Sequence, residues 1–312
     1  MISFGPIPSR RLGKSLGINN IPSRKVCSFS CVYCQVGITK EFSIARHNFY
    51  EPDVIFKEVQ KHLKSLSEND YPDYLTFVAN GEPTLDIHLD KSIEKLKKLN
   101  IPIAVITNGS LLNIRQVRDD LKLADWVSIK VDANNEHAWK TINSPIVGLS
   151  FNRHVEGLLQ FASEYKGKLV TETMLVEGIN DKSEVLNQTS DLIKQINPSL
   201  AYIAVPTRPP AISDIKAPAE PAINEAFQIF SNKGLNVELL LGFEGTNTGY
   251  TGNAIEDIIN ICTVHPIRED TMLELLSKDK ADSSLLDSLL HDKLIKKVCY
   301  KSDNFYIRQF HV

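Results

Sequence analysis

Short apolar segments alternate with longer amphipathic segments along most of this chain. The apolar segments are rich in Val, Ile, Leu and aromatic residues and end at Gly, Pro, Asn or Asp, which is typical of buried strands. This pattern predicts strands at residues 15–19, 74–79, 103–107, 126–131, 169–175, 201–205 and 237–241. The amphipathic segments predict helices at residues 53–66, 89–99, 113–123, 184–196 and 221–231. Strands that alternate with helices indicate an α/β fold built on a parallel sheet.

The pattern changes after residue 242, where four glycines fall within eleven residues. Such a stretch indicates a flexible connection, so we expect domains at residues 1–245 and 246–312. The second domain carries predicted helices at residues 254–261, 269–276 and 283–290, and a predicted hairpin at 296–300 and 304–309 that turns at Ser302 and Asp303. This order favours a small winged-helix-like α+β domain. The alternative is a helical cap that packs against the first domain.

Composition and charge limit the classes of protein to which the chain can belong. Its 312 residues are 42% hydrophobic and 23% charged, which excludes a disordered, collagen-like or disulfide-scaffold protein. The 35 Lys and Arg against 38 Asp and Glu give a formal net charge of −3, so no chain-wide basic field favours nucleic acid. No apolar run approaches the ~20 residues of a membrane-spanning helix, and the N-terminus lacks a signal-peptide pattern. We therefore expect a cytoplasmic protein with no membrane partner.

Three of the five cysteines form a C-x3-C-x2-C motif at Cys27, Cys31 and Cys34. In a reducing compartment, cysteines so closely spaced are better interpreted as ligands than as disulfides. Three thiolates can hold a four-iron cluster and leave one iron open to another ligand. The alternatives are a zinc site completed by a distant residue such as His47, or unrelated buried thiols. The other two cysteines are expected to be packing residues.

This motif, with aromatic Tyr33 directly before Cys34, resembles that of the radical S-adenosylmethionine (SAM) superfamily. The resemblance implies that Cys27, Cys31 and Cys34 hold a 4Fe-4S cluster and that SAM chelates the fourth iron. One electron then cleaves SAM into methionine and a 5′-deoxyadenosyl radical. The implied fold is a partial (β/α)6 TIM-type barrel, which the winged-helix-like domain would follow.

A turn at residues 80–84 supports the resemblance. Gly81, Glu82 and Pro83 are similar to the superfamily's GGEP motif, with Asn80 in place of the first glycine. Gly81 permits close backbone approach and Pro83 stiffens the turn. We expect the turn's carbonyl groups and Glu82 to receive the ammonium group of SAM.

Polar residues also end the next two strands. Thr107 and Asn108 offer a hydroxyl and an amide to a ribose or carboxylate, although a turn that leads into a helix explains them as well. Lys130 and Asp132 alternate along a strand, so both side chains should point to the barrel mouth. The alternative for this pair is a structural ion pair.

Three further positions carry charge near predicted strand ends. Glu172 lies inside an apolar strand, where an unpaired charge is costly, and it is interpreted as a SAM contact. Arg208 could bind an anionic group of the substrate or of SAM, or lie on the surface. Arg10 and Arg11 precede the cysteine motif and could position an anionic substrate, or be an exposed basic segment.

Residues 4–244 together resemble a radical SAM group related to the tRNA wyosine-forming enzymes. Those enzymes carry three further cysteines ahead of the SAM loop, whereas this chain has none before Cys27. The leading hypothesis is a radical SAM enzyme with one 4Fe-4S cluster, an electron donor such as flavodoxin or ferredoxin, and an RNA base or a protein partner as substrate. The alternative is an iron-sulfur redox sensor with a DNA-reading winged helix.

Overall fold

The computed structural model describes residues 2–22 and 24–309. The strands are β1 (Ser3–Ser9), β2 (Gly13–Ile18), β3 (Val26–Cys27), β4 (Glu41–Phe42), β5 (Tyr74–Phe77), β6 (Ile103–Thr107), β7 (Trp126–Lys130), β8 (Lys168–Met174), β9 (Leu200–Ala204), β10 (Val237–Leu240), β11 (Ile267–Arg268), β12 (Ile295–Tyr300) and β13 (Asp303–Arg308). The helices are α1 (Pro52–Ser65), α2 (Leu89–Leu96), α3 (Arg115–Leu121), α4 (Glu136–Asn143), α5 (Phe151–Glu164), α6 (Ser183–Ile196), α7 (Glu220–Asn232), α8 (Ala254–Val264), α9 (Glu269–Lys278) and α10 (Ser284–His291). Within these described ranges, none of the helices has the length and apolar character needed to cross a membrane.

The main sheet has eight strands in the order β1-β2-β5-β6-β7-β8-β9-β10. All strands from β2 to β10 in this sheet pair in parallel, and β1 joins its edge antiparallel to β2. The fold is α/β, with a sheet that curls into a half-barrel. The seven strands expected from the apolar pattern are confirmed, each displaced by a few residues at most.

Strand β1 was not predicted from the sequence, because it contains Pro6 and Pro8. Proline cannot donate to a β-ladder, so its presence argues against a central strand but not against an edge strand. Helices α4 and α5 were also missed. Their buried faces include His154 and Gly157, which weaken the apolar stripe, although Trp139 and Phe161 provide large buried side chains.

Helices on the outside of the sheet supply the main hydrophobic core. Ile55 and Leu63 from α1, for example, are buried in one cluster with Leu75 of β5 and Ile103 of β6. Because each helix is amphipathic, its apolar stripe covers the sheet while its polar face stays in water. This arrangement leaves the carboxyl ends of the parallel strands together at one edge, where ligands bind in such folds.

The C-terminal helices and hairpin are present as the sequence predicted, and β11 adds a short strand. The three strands pair antiparallel in the order β11-β13-β12. The hairpin turns at Lys301 and Ser302, one residue earlier than expected, and both residues have positive φ angles of 49° and 69°. A turn with two positive φ angles matches the twist of paired strands, which accounts for its position one residue earlier than expected.

The C-terminal segment packs closely against β1. Phe4 of β1 lies in one buried cluster with Ile258 and Ile261 of α8. The Gly249 N–H donates to the carbonyl of Pro6 at 2.6 Å, and a Cβ atom on Gly249 would lie 2.4 Å from Pro6 Cδ. Strand β1 therefore connects the half-barrel to the C-terminal helices.

Candidate active site

Residues 26–43 form the cysteine loop, which the 80–84 turn holds at its start. The carbonyl of Val26 accepts a hydrogen bond from the Glu82 N–H at 3.1 Å. Gly81 has φ of +140°, and a Cβ atom there would lie 1.8 Å from Val26 O. Only glycine fits at this position, so the structure gives a physical reason for the Gly-Glu-Pro sequence beside Cys27.

Each cysteine sulfur of the motif accepts a hydrogen bond from a different nitrogen. Two of the donors are side-chain amides and the third is a lysine ammonium. The pairs are Lys25 Nζ with Cys34 Sγ at 3.2 Å, Asn143 Nδ2 with Cys31 Sγ at 3.4 Å, and Asn108 Nδ2 with Cys27 Sγ at 3.5 Å. Donors of this kind favour thiolate over thiol, because they stabilise negative charge on sulfur. Asn108 was expected at the site from the sequence, whereas Lys25 and Asn143 were not.

The electrostatics of the loop suit a polynuclear metal centre. Burial raises the pKa of Cys27 and of Cys31 to about 12, so their thiols lose the proton readily only to a metal. Burial lowers the pKa of Lys25, but the neighbouring sulfurs Cys34, Cys27 and Cys31 outweigh it and raise that pKa. The residues present therefore provide three thiolate ligands and a compensating positive charge.

The zinc alternative requires side chains grouped around one ion. Among residues 2–22 and 24–309, no three His, Cys, Asp or Glu side chains group so that one ion could bind them all. His47, the proposed fourth zinc ligand, instead lies 3.4 Å from Ser43 Oγ through its Nε2. In a 4Fe-4S cluster each thiolate binds a different iron, which requires wider spacing than one zinc ion does. Within the described residues, His47 therefore does not form a four-ligand group with the three cysteines.

The Glu82 carboxylate accepts hydrogen bonds from neighbouring groups of the protein. It is 1% exposed and accepts from Thr84 Oγ1 at 2.7 Å, Thr107 Oγ1 at 2.6 Å and the Asn108 N–H at 2.8 Å. Burial raises its pKa. The expected contact of Glu82 and Thr107 with a ligand stays a prediction. They fix the turn that begins at Pro83.

Lys130, the last residue of β7, and Asp132, two residues later, both contact Tyr33. The Tyr33 hydroxyl donates to Asp132 Oδ2 at 2.5 Å, and Asn143 Nδ2 donates to the same oxygen at 2.7 Å. Lys130 Nζ lies 5.7 Å from the centre of the Tyr33 ring. Asp132 thus orients both the residue before Cys34 and the amide that reaches Cys31.

A cavity of about 290 Å³ opens beside the cysteine loop. Its walls come from the chain after β1, the cysteine loop, the ends of β7, β8 and β9, and the residues after α8. Of the site residues expected from sequence, the lining includes Arg10, Arg11, Cys34, Lys130, Glu172 and Arg208. Cys27 and Cys31 belong to the cysteine loop itself. Glu82, Thr107, Asn108 and Asp132 form hydrogen bonds around that loop and the 80–84 turn.

Charged side chains in the cavity form two groups. Glu172 is ion-paired with both Arg11 and Lys130. Burial raises the pKa of Glu172, but the two cations outweigh burial and lower it to about 2. In the second group, Arg208 contacts Glu244 at 3.3 Å. The alternative expected for Lys130 was an ion pair with Asp132, whereas the structure pairs Lys130 with Glu172.

The C-terminal segment contributes directly to the cavity through Val264 and His265. Gln35, the residue after Cys34, donates from Nε2 to Val264 O at 3.0 Å, and its Oε1 lies 3.4 Å from Arg208 Nη1. Burial, with Arg208 and Arg11 nearby, lowers the pKa of His265 well below its usual value, so the imidazole is neutral. Neither Gln35 nor His265 belongs to a sequence pattern that could have identified it.

Comparison with known families identifies a match over more than half of the chain. Residues 21–188 match the family model described as the Radical SAM superfamily. The chain is 44% identical over 309 residues to the UPF0026 protein MJ1312 of Methanocaldococcus jannaschii, covering 98% of this chain and 96% of that protein. It is also 35% identical over 219 residues to a UPF0026 protein of Helicobacter pylori, covering 70% and 69% of the two chains.

Solved structures share the fold at low sequence identity. The structure of TYW1 with a lysine-pyruvate adduct bound has a TM-score of 0.54 and 17% identity, and covers 71% of this chain and 75% of that one. Streptococcus suis SuiB bound to S-adenosylmethionine has a TM-score of 0.52 and 13% identity, and covers 72% and 49%. These similarities extend across the half-barrel architecture.

Proposed function

The chain belongs to the radical SAM superfamily and to the UPF0026 family, and we propose that it uses one 4Fe-4S cluster held by Cys27, Cys31 and Cys34. Such a cluster, when bound, supplies the electron that splits the sulfonium–C5′ bond of SAM into methionine and a 5′-deoxyadenosyl radical, which takes a hydrogen atom from the substrate. Like other members, the protein is a radical SAM enzyme. Its group within the superfamily is the one related to the wyosine-forming enzymes.

The observation that carries this proposal is the set of three N–H donors, one for each cysteine sulfur. The donors Lys25 and Asn143 approach Cys34 and Cys31 at 3.2 and 3.4 Å. Hydrogen bonds to cluster sulfurs raise the reduction potential and so help the bound centre to accept an electron. Ordinary buried cysteines have no need of three separate polar donors.

The residues that would hold SAM follow from their placement around the cysteine loop. We assign the backbone of Gly81 and Pro83 to the ammonium group of SAM, with Glu82 and Thr107 as the residues that fix this backbone. Asn108 lies beside Cys27.

The strand ends complete the proposed SAM site. Lys130 and Glu172 line the cavity, where they would orient the remainder of SAM, while Asp132 holds Tyr33 in position. Arg208 completes the wall on the opposite side. Water exclusion in this pocket protects the radical from quenching.

The electron comes from a low-potential one-electron carrier, and we propose a flavodoxin or ferredoxin. The cysteine loop and the residue after it present three exposed apolar side chains, Ile38, Phe42 and Ile44, with exposed Lys40 and Glu41 between them. An exposed apolar patch of this kind is typical of a surface that binds a protein partner. We place the protein in the cytoplasm, where thiols stay reduced.

We propose that residues 1–245 are the radical SAM domain and that residues 246–312 are a winged-helix-like domain. The order helix, strand, two helices and hairpin supports the second assignment. Helix α10, which would read DNA in such a domain, exposes Asp287 and ends beside Asp292. These two carboxylates would repel the phosphates of DNA. Val264 and His265 line the cavity, so we propose that this domain covers the cavity rather than reads DNA.

SAM cleavage by the reduced protein tests the proposal. The protein is reconstituted anaerobically with iron and sulfide, mixed with SAM and dithionite, and analysed for 5′-deoxyadenosine and methionine by mass spectrometry. We expect both products in equal amounts from the wild type and neither from Cys31→Ala. Cys299→Ala removes an exposed cysteine outside the motif and should keep full activity. A fully loaded wild type that leaves SAM intact would overturn the proposal.

A further inference from the structure

We propose that the cavity binds a small substrate through a dianionic group, a phosphoryl or a dicarboxylate, held between Arg11 and Arg208. This inference deepens the proposed function and rests on it, because the substrate would lie beside the cysteine loop. Both arginines line the cavity, together with His265 from the C-terminal segment.

The first argument is the charge of the cavity wall. The lining carries two more positive than negative side chains. The positive ones are Arg10, Arg11, Lys130 and Arg208, and the negative ones are Glu172 and Glu244. A partly enclosed site with this excess is most favourable when an anion occupies it, since charges interact strongly away from bulk water.

The cofactors would not remove the excess. SAM carries an ammonium, a sulfonium and a carboxylate, and therefore has one net positive charge. An oxidised 4Fe-4S core held by three thiolates has one net negative charge, so the two bound groups cancel each other. The two excess positive charges of the cavity lining would therefore be neutralised by the substrate.

The second argument is that both arginines have unused donors. Arg11 Nε is buried and has no hydrogen-bond partner within the described chain. The described partners of the Arg208 guanidinium are Gln35 at 3.4 Å and Glu244 at 3.3 Å, both long contacts. A guanidinium offers five N–H groups, and two such groups bind phosphate or carboxylate oxygens in paired geometry.

The size and cover of the cavity favour a small molecule over a macromolecule. A volume of about 290 Å³ lies at the lower end of the range for small-molecule sites. The C-terminal segment covers one side, because Tyr300 and Lys301 both donate to Pro206 O, at 3.1 and 2.9 Å. Neutral His265 would add an N–H donor without repelling the substrate. A folded protein or an RNA helix would need this cover removed.

Anion binding to the holoprotein tests the inference. The probes are inorganic phosphate and malonate, titrated calorimetrically into anaerobically reconstituted protein saturated with SAM. We expect one site for at least one probe, and a loss of at least about tenfold in affinity in Arg208→Gln. Arg208→Lys, which keeps the charge, should retain more of the affinity. Arg115→Gln removes a highly exposed arginine far from the cavity lining and should change nothing.

A second variant allows the same test if the first variant has a folding defect. If Arg208→Gln does not fold, Arg11→Gln provides the same comparison from the other side of the cavity, since Lys130 still pairs with Glu172. Binding of phosphate alone assigns a phosphoryl substrate, and binding of malonate alone assigns a dicarboxylate.

Three results would overturn the inference: neither probe binds, affinity is equal in the wild type and the folded cavity variants, or the probe binds only to protein without SAM. Displacement by an RNA oligonucleotide would assign the site to nucleic acid instead. Failure of the proposed function gives a different result, because phosphate would then bind while no 5′-deoxyadenosine forms.

Discussion

The ammonium group of Lys25 lies 3.2 Å from the sulfur of Cys34, and the lysine side chain is buried, with 5% exposure. A buried cation beside a cluster ligand stabilises the reduced, more negative state of the cluster. We expect Lys25→Met to lower the reduction potential of the reconstituted cluster by on the order of 50 to 100 mV. An anaerobic redox titration followed by electron paramagnetic resonance measures this shift.

Two control variants define the origin of that shift. Lys25→Arg keeps the charge and should preserve most of the potential, whereas Lys40→Met removes an exposed lysine from the same loop and should leave it unchanged. Equal potentials for Lys25→Met and the wild type would contradict the role given to Lys25.

Asp132 links Tyr33 and Asn143 to the cysteine loop, because its Oδ2 accepts from both. Its Oδ1 accepts from the Met174 N–H at 2.8 Å. Asp132→Asn replaces one of these acceptors by a donor, so we expect a loss of about 1 to 3 kcal/mol in unfolding free energy. Urea denaturation measures this loss.

Iron content provides the second readout for Asp132. We expect fewer irons per chain in Asp132→Asn, since the amide that reaches Cys31 loses its support. Asp214→Asn changes an exposed aspartate and serves as the matched control. Wild-type stability together with wild-type iron content in Asp132→Asn would show that the carboxylate does not position these residues.

Gly249 marks the contact between the C-terminal segment and β1. A Cβ atom at this position would lie 2.4 Å from Pro6 Cδ and 2.8 Å from Pro6 N. Gly249→Ala should therefore separate the two surfaces and lower the unfolding free energy by about 1 to 3 kcal/mol. Gly242→Ala is the control, because nothing lies within 4 Å of the added methyl group. Similar melting temperatures for the two variants would contradict this packing.

Glu172 should give the stability of the protein a defined pH dependence. Arg11 and Lys130 outweigh burial and hold the pKa of Glu172 at about 2 in the folded state, against 4.5 for the ordinary side chain. A carboxyl whose pKa falls on folding stabilises the protein above its unfolded pKa, and that stability is lost as the pH falls toward the folded pKa.

Glu172→Gln isolates this contribution. We expect the variant to be less stable than the wild type by about 3 kcal/mol at pH 7, since two buried cations lose their partner. The difference should narrow as the pH is lowered from 5 to 3, as measured by urea unfolding at each pH. Glu136→Gln, at an exposed helical ion pair, should change stability by less than about 0.5 kcal/mol. A pH-independent difference would contradict the ion-paired state of Glu172.

The fold was largely predictable because its signals are local. The parallel strands are short apolar runs, and most helices carry a clear apolar stripe, so both follow from periodicity. Strand β1 was not predictable, since Pro6 is tolerated only because the strand lies at a sheet edge. Helix α5 was missed because its buried positions include His154 and Gly157.

The site residues could be predicted only where the spacing of residues in a motif indicates what they bind. The cysteines and the Gly81 turn are sequence motifs, whereas Lys25, Asn143 and His265 act through contacts made by distant parts of the chain. The partners of a polar side chain decide its role, and these partners appear only after folding. The hydrogen bonds of Glu82 with Thr84, Thr107 and Asn108 are a further example, since no sequence motif indicates them.

The most direct test of the central claim is electron paramagnetic resonance of the anaerobically reconstituted, reduced protein with and without SAM, beside Cys34→Ala as a control. We predict a 4Fe-4S signal in the wild type that changes when SAM is added, and a weak or absent signal in Cys34→Ala. A fully loaded wild-type cluster whose signal is the same with and without SAM would contradict the assignment of this site to SAM cleavage.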